Sequence, residues 1–339
     1  MIITQTPFRM SFFGGGTDME SFFIKHGGAV LSTTFDKYCY VNVRHLPRFF
    51  DYSTELSYSR TERVTSIEDI EHPAIRNAMK MLDMHEIRLT YEADLPARSG
   101  LGTSSSFAVG MLNAFYALKG KYADKRKLAD EAIYLERVLC EEAGGWQDQI
   151  AASFGGFNRI NFNTDGTYDV LPVIISLERK NNLNDNLMMF FTGFTRFSSD
   201  VQKANAGTKE TQEAKEKRYL EMLSLVDKAE QILTDKNTDL DNFGRLLDHT
   251  WKLKKQTGSA VSTNSIDALY EKGMQAGALG GKLLGAGGGG FLVFYVQPEY
   301  QEAVKEAMKE LMYIPFRFED GGTRVIHYTP ETYVPLEDK

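Results

Sequence analysis

Asp94-Leu95-Pro96-Ala97-Arg98-Ser99-Gly100-Leu101-Gly102-Thr103-Ser104-Ser105-Ser106 is the stretch on which the reading of this chain turns. A β-rich run, Ile87–Glu92, precedes it. The segment that follows is helical in pattern, with Phe107, Met111, Phe115 and Leu118 recurring in steps of four, four and three. Strand, glycine loop and helix start, in that order, make an anion site: unpaired N–H groups and the positive end of the helix dipole face the same point. Four consecutive hydroxyls, Thr103 to Ser106, can cap the helix, donate to phosphate oxygens or ligate Mg²⁺. A lone Gly-x-Gly before a serine is an ordinary turn and cap. The flanking elements and the hydroxyl run favour a phosphate loop.

Glycine marks the rest of the functional outline. The chain has 29 glycines in 339 residues, clustered at Gly14–Gly16, Gly100 and Gly102, Gly144-Gly145, Gly155-Gly156 and most densely from Gly280 to Gly290. Glycine loses more backbone entropy on folding than any other residue, so clusters inside a globular chain mark tight turns or close approach. Gly285-Ala286-Gly287-Gly288-Gly289-Gly290 matches the dinucleotide fingerprint, but it precedes a strand-like run, Phe291–Val296, instead of opening a helix. A Walker A loop fails as well, because Leu283 follows Lys282 where Ser or Thr is required. A Rossmann dehydrogenase is therefore disfavoured.

Further strands are expected at Ile2–Thr6, Tyr38–Arg44, Phe157–Phe162 and Leu187–Thr192. Helices are expected at Ser104–Leu118, Lys125–Cys140, Thr208–Leu233 and Glu299–Met312. Thr208–Leu233 is charged on most faces and reads as a solvated helix. Strands and helices mix without strict alternation, which predicts an α+β fold. A length of 339 residues suits two domains, with a boundary at the polar stretch Lys180–Asn186, giving 1–185 and 186–339.

Lys plus Arg number 39 against 46 Asp plus Glu, a net charge of −7, so there is no basic footprint for nucleic acid. Two cysteines, Cys39 and Cys140, form neither a disulfide framework nor a metal signature. The N-terminal residues lack a basic and apolar leader, and Leu187–Phe191 is too short to span a bilayer. A cytoplasmic protein that does not bind membranes is the expectation.

Three carboxylates stand out. In Lys125–Cys140, Leu128, Ala129, Ala132, Ile133, Leu135 and Leu139 share an arc, and at about 100° per residue Glu136 falls within it. A carboxylate buried there needs a cation or donors, and either a salt bridge or a metal ion would serve. Asp148, in Gly144-Gly145-Trp146-Gln147-Asp148, lies between two glycine pairs where backbone can come close to a ligand. Pro7–Asp18 ends a strand in a glycine turn and offers Arg9 and Asp18. Taken singly, Asp148 is a helix-start Asp and Asp18 a turn cap.

Together, Pro7 to Asp18, Pro96 to Ser106 and Lys282 to Gly290 resemble the three motifs of the galactokinase, homoserine kinase, mevalonate kinase and phosphomevalonate kinase (GHMP) superfamily. Phe13-Gly14-Gly15-Gly16-Thr17-Asp18 with Arg98–Ser105 looks most like its D-glycero-D-manno-heptose 7-phosphate kinases, which phosphorylate the anomeric C1 hydroxyl. Fucokinases share much of this pattern, whereas galactokinases carry Glu-His at Gly15-Gly16. The alternatives are thus a fucokinase or related sugar-1-kinase, or a non-catalytic sugar- and ATP-binding regulator.

The resemblance implies an N-terminal domain like domain 2 of ribosomal protein S5 and a ferredoxin-like C-terminal domain. It implies ATP and Mg²⁺ as cofactors and a sugar phosphate as acceptor. Pro96, Ser99, Gly100, Leu101, Gly102, Thr103, Ser104 and Ser105 would hold the ATP phosphates, and Ser104 and Glu136 the metal. Asp148 would be the catalytic acid–base group and Arg9 the cation at the transferring phosphoryl. Gly16, Thr17, Asp18, Asp148 and Gly156 would bind the sugar, with the Gly285–Gly290 turn supporting the phosphate loop. For the sugar's own phosphate, Arg44, Arg98 and Arg196 are the candidate cations, because a guanidinium suits a phosphate dianion.

Overall fold

A computed structural model describes residues 1–97, 99–193, 212–258, 261–285 and 287–331. The long strand β2 (Gly28–His45) organises the first sheet. It pairs antiparallel with β1 (Ile2–Phe13) over most of its length, with register shifts at Pro7/Phe8 and Ser11/Phe13. Its other edge is shared. Gly28–Thr33 pairs with β6 (Phe157–Phe162), and Cys39–His45 with β5 (Ile87–Ala93). The hairpin β3 (Thr54–Ser57) and β4 (Thr61–Val64) extends the sheet beyond β5, and β7 (Tyr168–Pro172) extends it beyond β6. The last strands return to it: β12 (Phe318–Glu319) pairs with β2 and β13 (Arg324–Tyr328) with β1.

Helix α3 (Thr103–Leu118) lies against this sheet and is buried along nearly its whole length. Gly110 makes that approach possible, since a Cβ there would sit 2.7 Å from Thr6 Oγ1. Thr4 Oγ1 donates to the Gly110 carbonyl at 2.9 Å and so ties helix to strand. Helix α1 (Glu20–His26) follows the first glycine turn, α2 (Pro73–Met81) precedes β5, and α4 (Lys125–Tyr134) and α5 (Gln147–Phe154) cover α3.

Beyond α6 (Leu177–Asp185), a second, antiparallel sheet runs β11 (Met312–Ile314), β8 (Leu187–Phe191), β10 (Phe291–Tyr295), β9 (Gly280–Leu283). Helices α7 (Gln212–Thr234), α8 (Asp241–Lys255), α9 (Asn264–Gln275) and α10 (Gln301–Ala307) accompany it. One apolar core joins the two sheets, with Phe12, Phe13 and Leu31 meeting Met189, Phe243, Leu284 and Val293. Phe243 stands edge-on to Phe12 and Phe13, at centroid distances of 5.3 and 5.1 Å. No described helix is long and apolar enough to cross a membrane.

Three expected elements differ. The span Lys125–Cys140 is not one helix. After Tyr134 it widens into a π turn, Leu135–Leu139, in which the Cys140 N–H donates to the Leu135 carbonyl at 2.9 Å. Glu299–Met312 holds only the short α10, because Met312 already belongs to β11. The expected solvated helix, described from Gln212 onward, buries Met222, Leu225, Val226, Ala229 and Leu233 against the core that joins the sheets. That stripe has helical spacing, and the many charges of the other faces obscure it. Leu225→Ala should therefore lower unfolding free energy by about 2–5 kcal/mol in urea denaturation. A solvated helix would lose under about 0.5 kcal/mol.

Candidate active site

Two glycine turns meet at the seam between the sheets. Gly100 (φ 82°) and Gly102 (φ 72°) are left-handed, and Gly102 is the N-cap of α3 and contributes no side-chain cap. A Cβ on Gly100 would lie 2.3 Å from the Leu284 carbonyl oxygen, and one on Gly285 would lie 2.3 Å from Gly100 Cα. One on Gly290 would lie 2.1 Å from the Ser99 carbonyl oxygen. The turns thus stack backbone on backbone, and only glycine permits it. The hydroxyl run then fans out. Ser104 is exposed to the cleft, Ser105 is buried with its Oγ donating to Glu136 at 2.7 Å, and Ser106 Oγ donates to the Pro7 carbonyl at 3.0 Å.

Arg9 on β1 and Asp148 in the first turn of α5 form a two-point ion pair: Nε to Oδ1 at 2.6 Å and Nη2 to Oδ2 at 2.9 Å. Arg9 Nη1 also donates to the Gly100 carbonyl at 2.7 Å, and a Cβ on Gly102 would lie 3.3 Å from both Arg9 Cγ and Asp148 Cγ. The Gly100–Gly102 turn, the Arg9 cation and the Asp148 carboxylate are in direct contact. Asp18 is buried, accepts from the Gly16 N–H at 2.8 Å and from Gln147 Nε2 at 3.0 Å, and lies against Gly145. Burial pushes its carboxyl above the usual range, and the nearby Asp148 adds to the shift.

Glu136 occupies the π turn and is 2% exposed. It accepts from Ser105 Oγ and from Gln149 Nε2, with Arg137 at 3.9 Å. Burial raises its pKa above the ordinary carboxylate value, against the pull of Arg137 and the two donors. Among the described residues no three His, Cys, Asp or Glu side chains form a metal cluster. A divalent ion would instead use Glu136 with serine hydroxyls and phosphate oxygens. The fit is good: the donors are hard oxygens, and Gln149 Oε1 is buried beside Glu136 without a partner.

These groups line a cleft of about 910 Å³. Tyr58, His72, Tyr91 and Phe107 form an aromatic wall at one end, with Phe107 edge-on to His72 and Tyr91. Gly15, Gly16, Asp18, Gly144 and Gly145 lie at the other, where Tyr219 of α7 packs on Gly16. Among the described residues, five basic side chains reach the cleft: Arg9, Arg137, Lys215, Lys254 and Lys282. Lys282 Nζ is buried and donates to the Phe12 carbonyl at 2.8 Å, so it latches β9 to β1.

Arg9, Gly16, Asp18, Gly100, Gly102, Thr103, Ser104, Ser105, Glu136 and Asp148 all line this cleft. Several other candidates do not. Thr17 is fully buried and spends its hydroxyl on Gly14 and Ala29, so it staples the turn. Gly156 bonds Thr34 and faces Asp320. Leu101 is core, and Ser99 Oγ closes the loop onto the Pro96 carbonyl. Arg44 sits near the C-terminal end of β2 and pairs with Glu331 at 3.1 Å. Arg98 and Arg196 lie outside the described residues. Lys254 was not visible to sequence reasoning, since nothing local distinguishes it within Lys252-Leu253-Lys254-Lys255. Lys282 stands in the sequence as a failed Walker lysine and as the start of the third motif, with no role attached to its side chain.

Residues 70–156 match the GHMP kinases N terminal domain and residues 229–314 the GHMP kinases C terminal family. The D-glycero-alpha-D-manno-heptose 7-phosphate kinase of Campylobacter jejuni is 29% identical over 337 residues, covering 95% of this chain and 98% of its own length. The L-fucokinase/L-fucose-1-P guanylyltransferase of Bacteroides fragilis is 30% identical over 231 residues, 65% of this chain but 23% of that protein. A crystal structure of a D-glycero-D-manno-heptose 1-phosphate kinase from Bacteriodes thetaiotaomicron shares the fold. Its TM-score is 0.77 at 23% identity, over 98% of this chain and 100% of that one. Both halves of the family occur in order and cover just over half of the residues; the chain belongs to the GHMP kinases and has their two-domain α+β fold.

Proposed function

We propose that this kinase transfers the γ-phosphoryl group of ATP to a sugar, and that its acceptor is the anomeric C1 hydroxyl of D-glycero-D-manno-heptose 7-phosphate. One observation carries the reading. The Arg9–Asp148 pair touches the phosphate loop on one side and looks toward the Asp18 end of the cleft on the other. Phosphoryl transfer through a loose transition state needs positioning and charge neutralisation more than covalent chemistry. The α3 N-terminus and loop amides hold the phosphates, and the aromatic wall receives the base. Asp18, kept in place by Gly16 and Gln147, reads sugar hydroxyls. Asp148 accepts the proton of the attacking hydroxyl, and Arg9 takes up charge on the transferring group. Mg²⁺, held by Ser104 and Glu136, would supply further charge neutralisation at the phosphates. In this reading residues 1–185 hold the nucleotide and the domain from 186 closes over it, with β12 and β13 returning to the first sheet.

The acceptor's own phosphate needs a cation away from the phosphate loop. Arg137 and Lys215 are the ones at the Asp18 end; Arg137 contacts Gly144, and Lys215 lies 6.0 Å from the Tyr219 ring. The full-length similarity to a heptose 7-phosphate kinase supports this choice, and the fucokinase match makes fucose the second reading. Steady-state kinetics with heptose 7-phosphate, heptose and fucose tests it. The 7-phosphate should lead by about 10²-fold or more in kcat/KM, because the half-buried Arg137 and Lys215 would make charge-assisted hydrogen bonds that the unphosphorylated sugar cannot accept. Equal values with and without the phosphate would reject the heptose phosphate assignment, and a preference for fucose would install the second reading.

Glu136→Gln should keep the fold, since an amide can still accept from Ser105. The Mg²⁺ concentration for half-maximal activity should rise about 10-fold or more. An unchanged Mg²⁺ titration would remove Glu136 from the metal site.

A further inference from the structure

We propose that Lys254 binds the γ-phosphoryl oxygens of the nucleotide from the side opposite Arg9, as the second cation of the transfer centre. Lys254 lies in the last turn of α8 between two lysines with ordinary partners: Lys252 pairs with Asp248 at 2.6 Å and Lys255 with Asp267 at 3.0 Å. Lys254 turns inward instead and donates to the carbonyl of Gly285. Gly285 is the residue stacked on Gly100, whose own carbonyl accepts from Arg9. Arg9 from β1 and Lys254 from α8 therefore grip the two carbonyls on either side of the contact between the glycine turns. Gly285 is the only hydrogen-bond acceptor of Lys254 among the described residues, and an ammonium has three N–H bonds to give.

The electrostatics agree with this geometry. Lys254 lines the cleft although protein packs densely around it, and burial with the neighbouring Arg9 lowers its pKa to about 8. The charged groups that face it are Arg9 on β1, Asp18 after β1, Asp148 on α5 and Lys282 on β9. Asp18 and Asp148 offset part of the repulsion from Arg9 and Lys282, and a phosphoryl group would supply a further anion between the basic groups. During transfer the bond from the acceptor oxygen to Pγ forms and the bond from Pγ to the β-phosphate oxygen breaks. The acceptor's proton goes to Asp148, and Lys254 stays protonated throughout.

The test compares a non-hydrolysable ATP analogue with ADP, both with Mg²⁺, by titration calorimetry, so it does not depend on the acceptor's identity. In Lys254→Met the analogue should lose about 10-fold or more in affinity while ADP changes little, and kcat should fall about 10²-fold. Lys254→Arg should restore much of both. Removing a buried cation should leave the thermal midpoint unchanged or higher. An unaltered ratio of analogue to ADP affinity, or equal losses for both, would overturn the proposal. Should the Met variant fail to fold, the wild-type enzyme still decides. Its preference for the analogue over ADP should weaken as pH rises from 8 to 9, and a flat profile would overturn the assignment.

Discussion

Asp148→Asn should lower kcat by about 10²–10⁴-fold and leave nucleotide affinity within a few-fold of wild type, as measured by steady-state kinetics and calorimetry. The substitution removes the basic oxygen and little else. Asn keeps one carbonyl acceptor for Arg9, which is 5% exposed and would otherwise be left as a buried, unpaired cation. Arg9 also keeps its bond to the Gly100 carbonyl, so the phosphate loop retains its support. The stability loss should stay near 1–2 kcal/mol, the size of one weakened charged hydrogen bond. A kcat close to wild type would show that Asp148 only positions Arg9. The scaffold would then work without a base at this position.

Gly100→Ala should weaken ATP binding by more than about 10-fold and lower the unfolding free energy by about 2–4 kcal/mol. Two independent costs combine. The residue has φ 82°, which disfavours any side chain, and its Cβ would meet the Leu284 carbonyl oxygen at 2.3 Å. That oxygen is backbone on the opposite sheet, so relief requires the two glycine turns to separate. Gly120→Ala is the control, because φ is 65° there and nothing lies within 4 Å of the new Cβ. It should bear only the left-handed strain of about 1 kcal/mol and bind ATP normally. If both variants bind ATP equally, stacking of the turns does not shape the phosphate site.

Much of this site was legible because its signals are local. The double glycine before α3 and the carboxylate on an apolar arc each lie within one short window. Glu136 is as buried as the arc required, even though the helix carrying it widens into a π turn that periodicity cannot foresee. What could not be read depends on contacts between distant segments. Lys254 looks like its neighbours until α8 is placed beside Gly285, 31 residues later in the chain. The resemblance implies Thr17 as a sugar ligand, but its hydroxyl turns inward to the Gly14 and Ala29 carbonyls, contacts made only once the turn is folded. The burial of α7 is hidden in the sequence for a different reason. Its apolar stripe is narrow, and the charges around it outnumber the residues that pack.

A crystal structure with a non-hydrolysable ATP analogue, Mg²⁺ and heptose 7-phosphate is the most direct check on the phosphate loop as the seat of catalysis. The triphosphate should lie over Gly100–Ser105 at the α3 N-terminus, with its γ-phosphoryl between Arg9 and Lys254 and the sugar hydroxyl on Asp148. Nucleotide density elsewhere, with water alone at that helix start, would contradict the account.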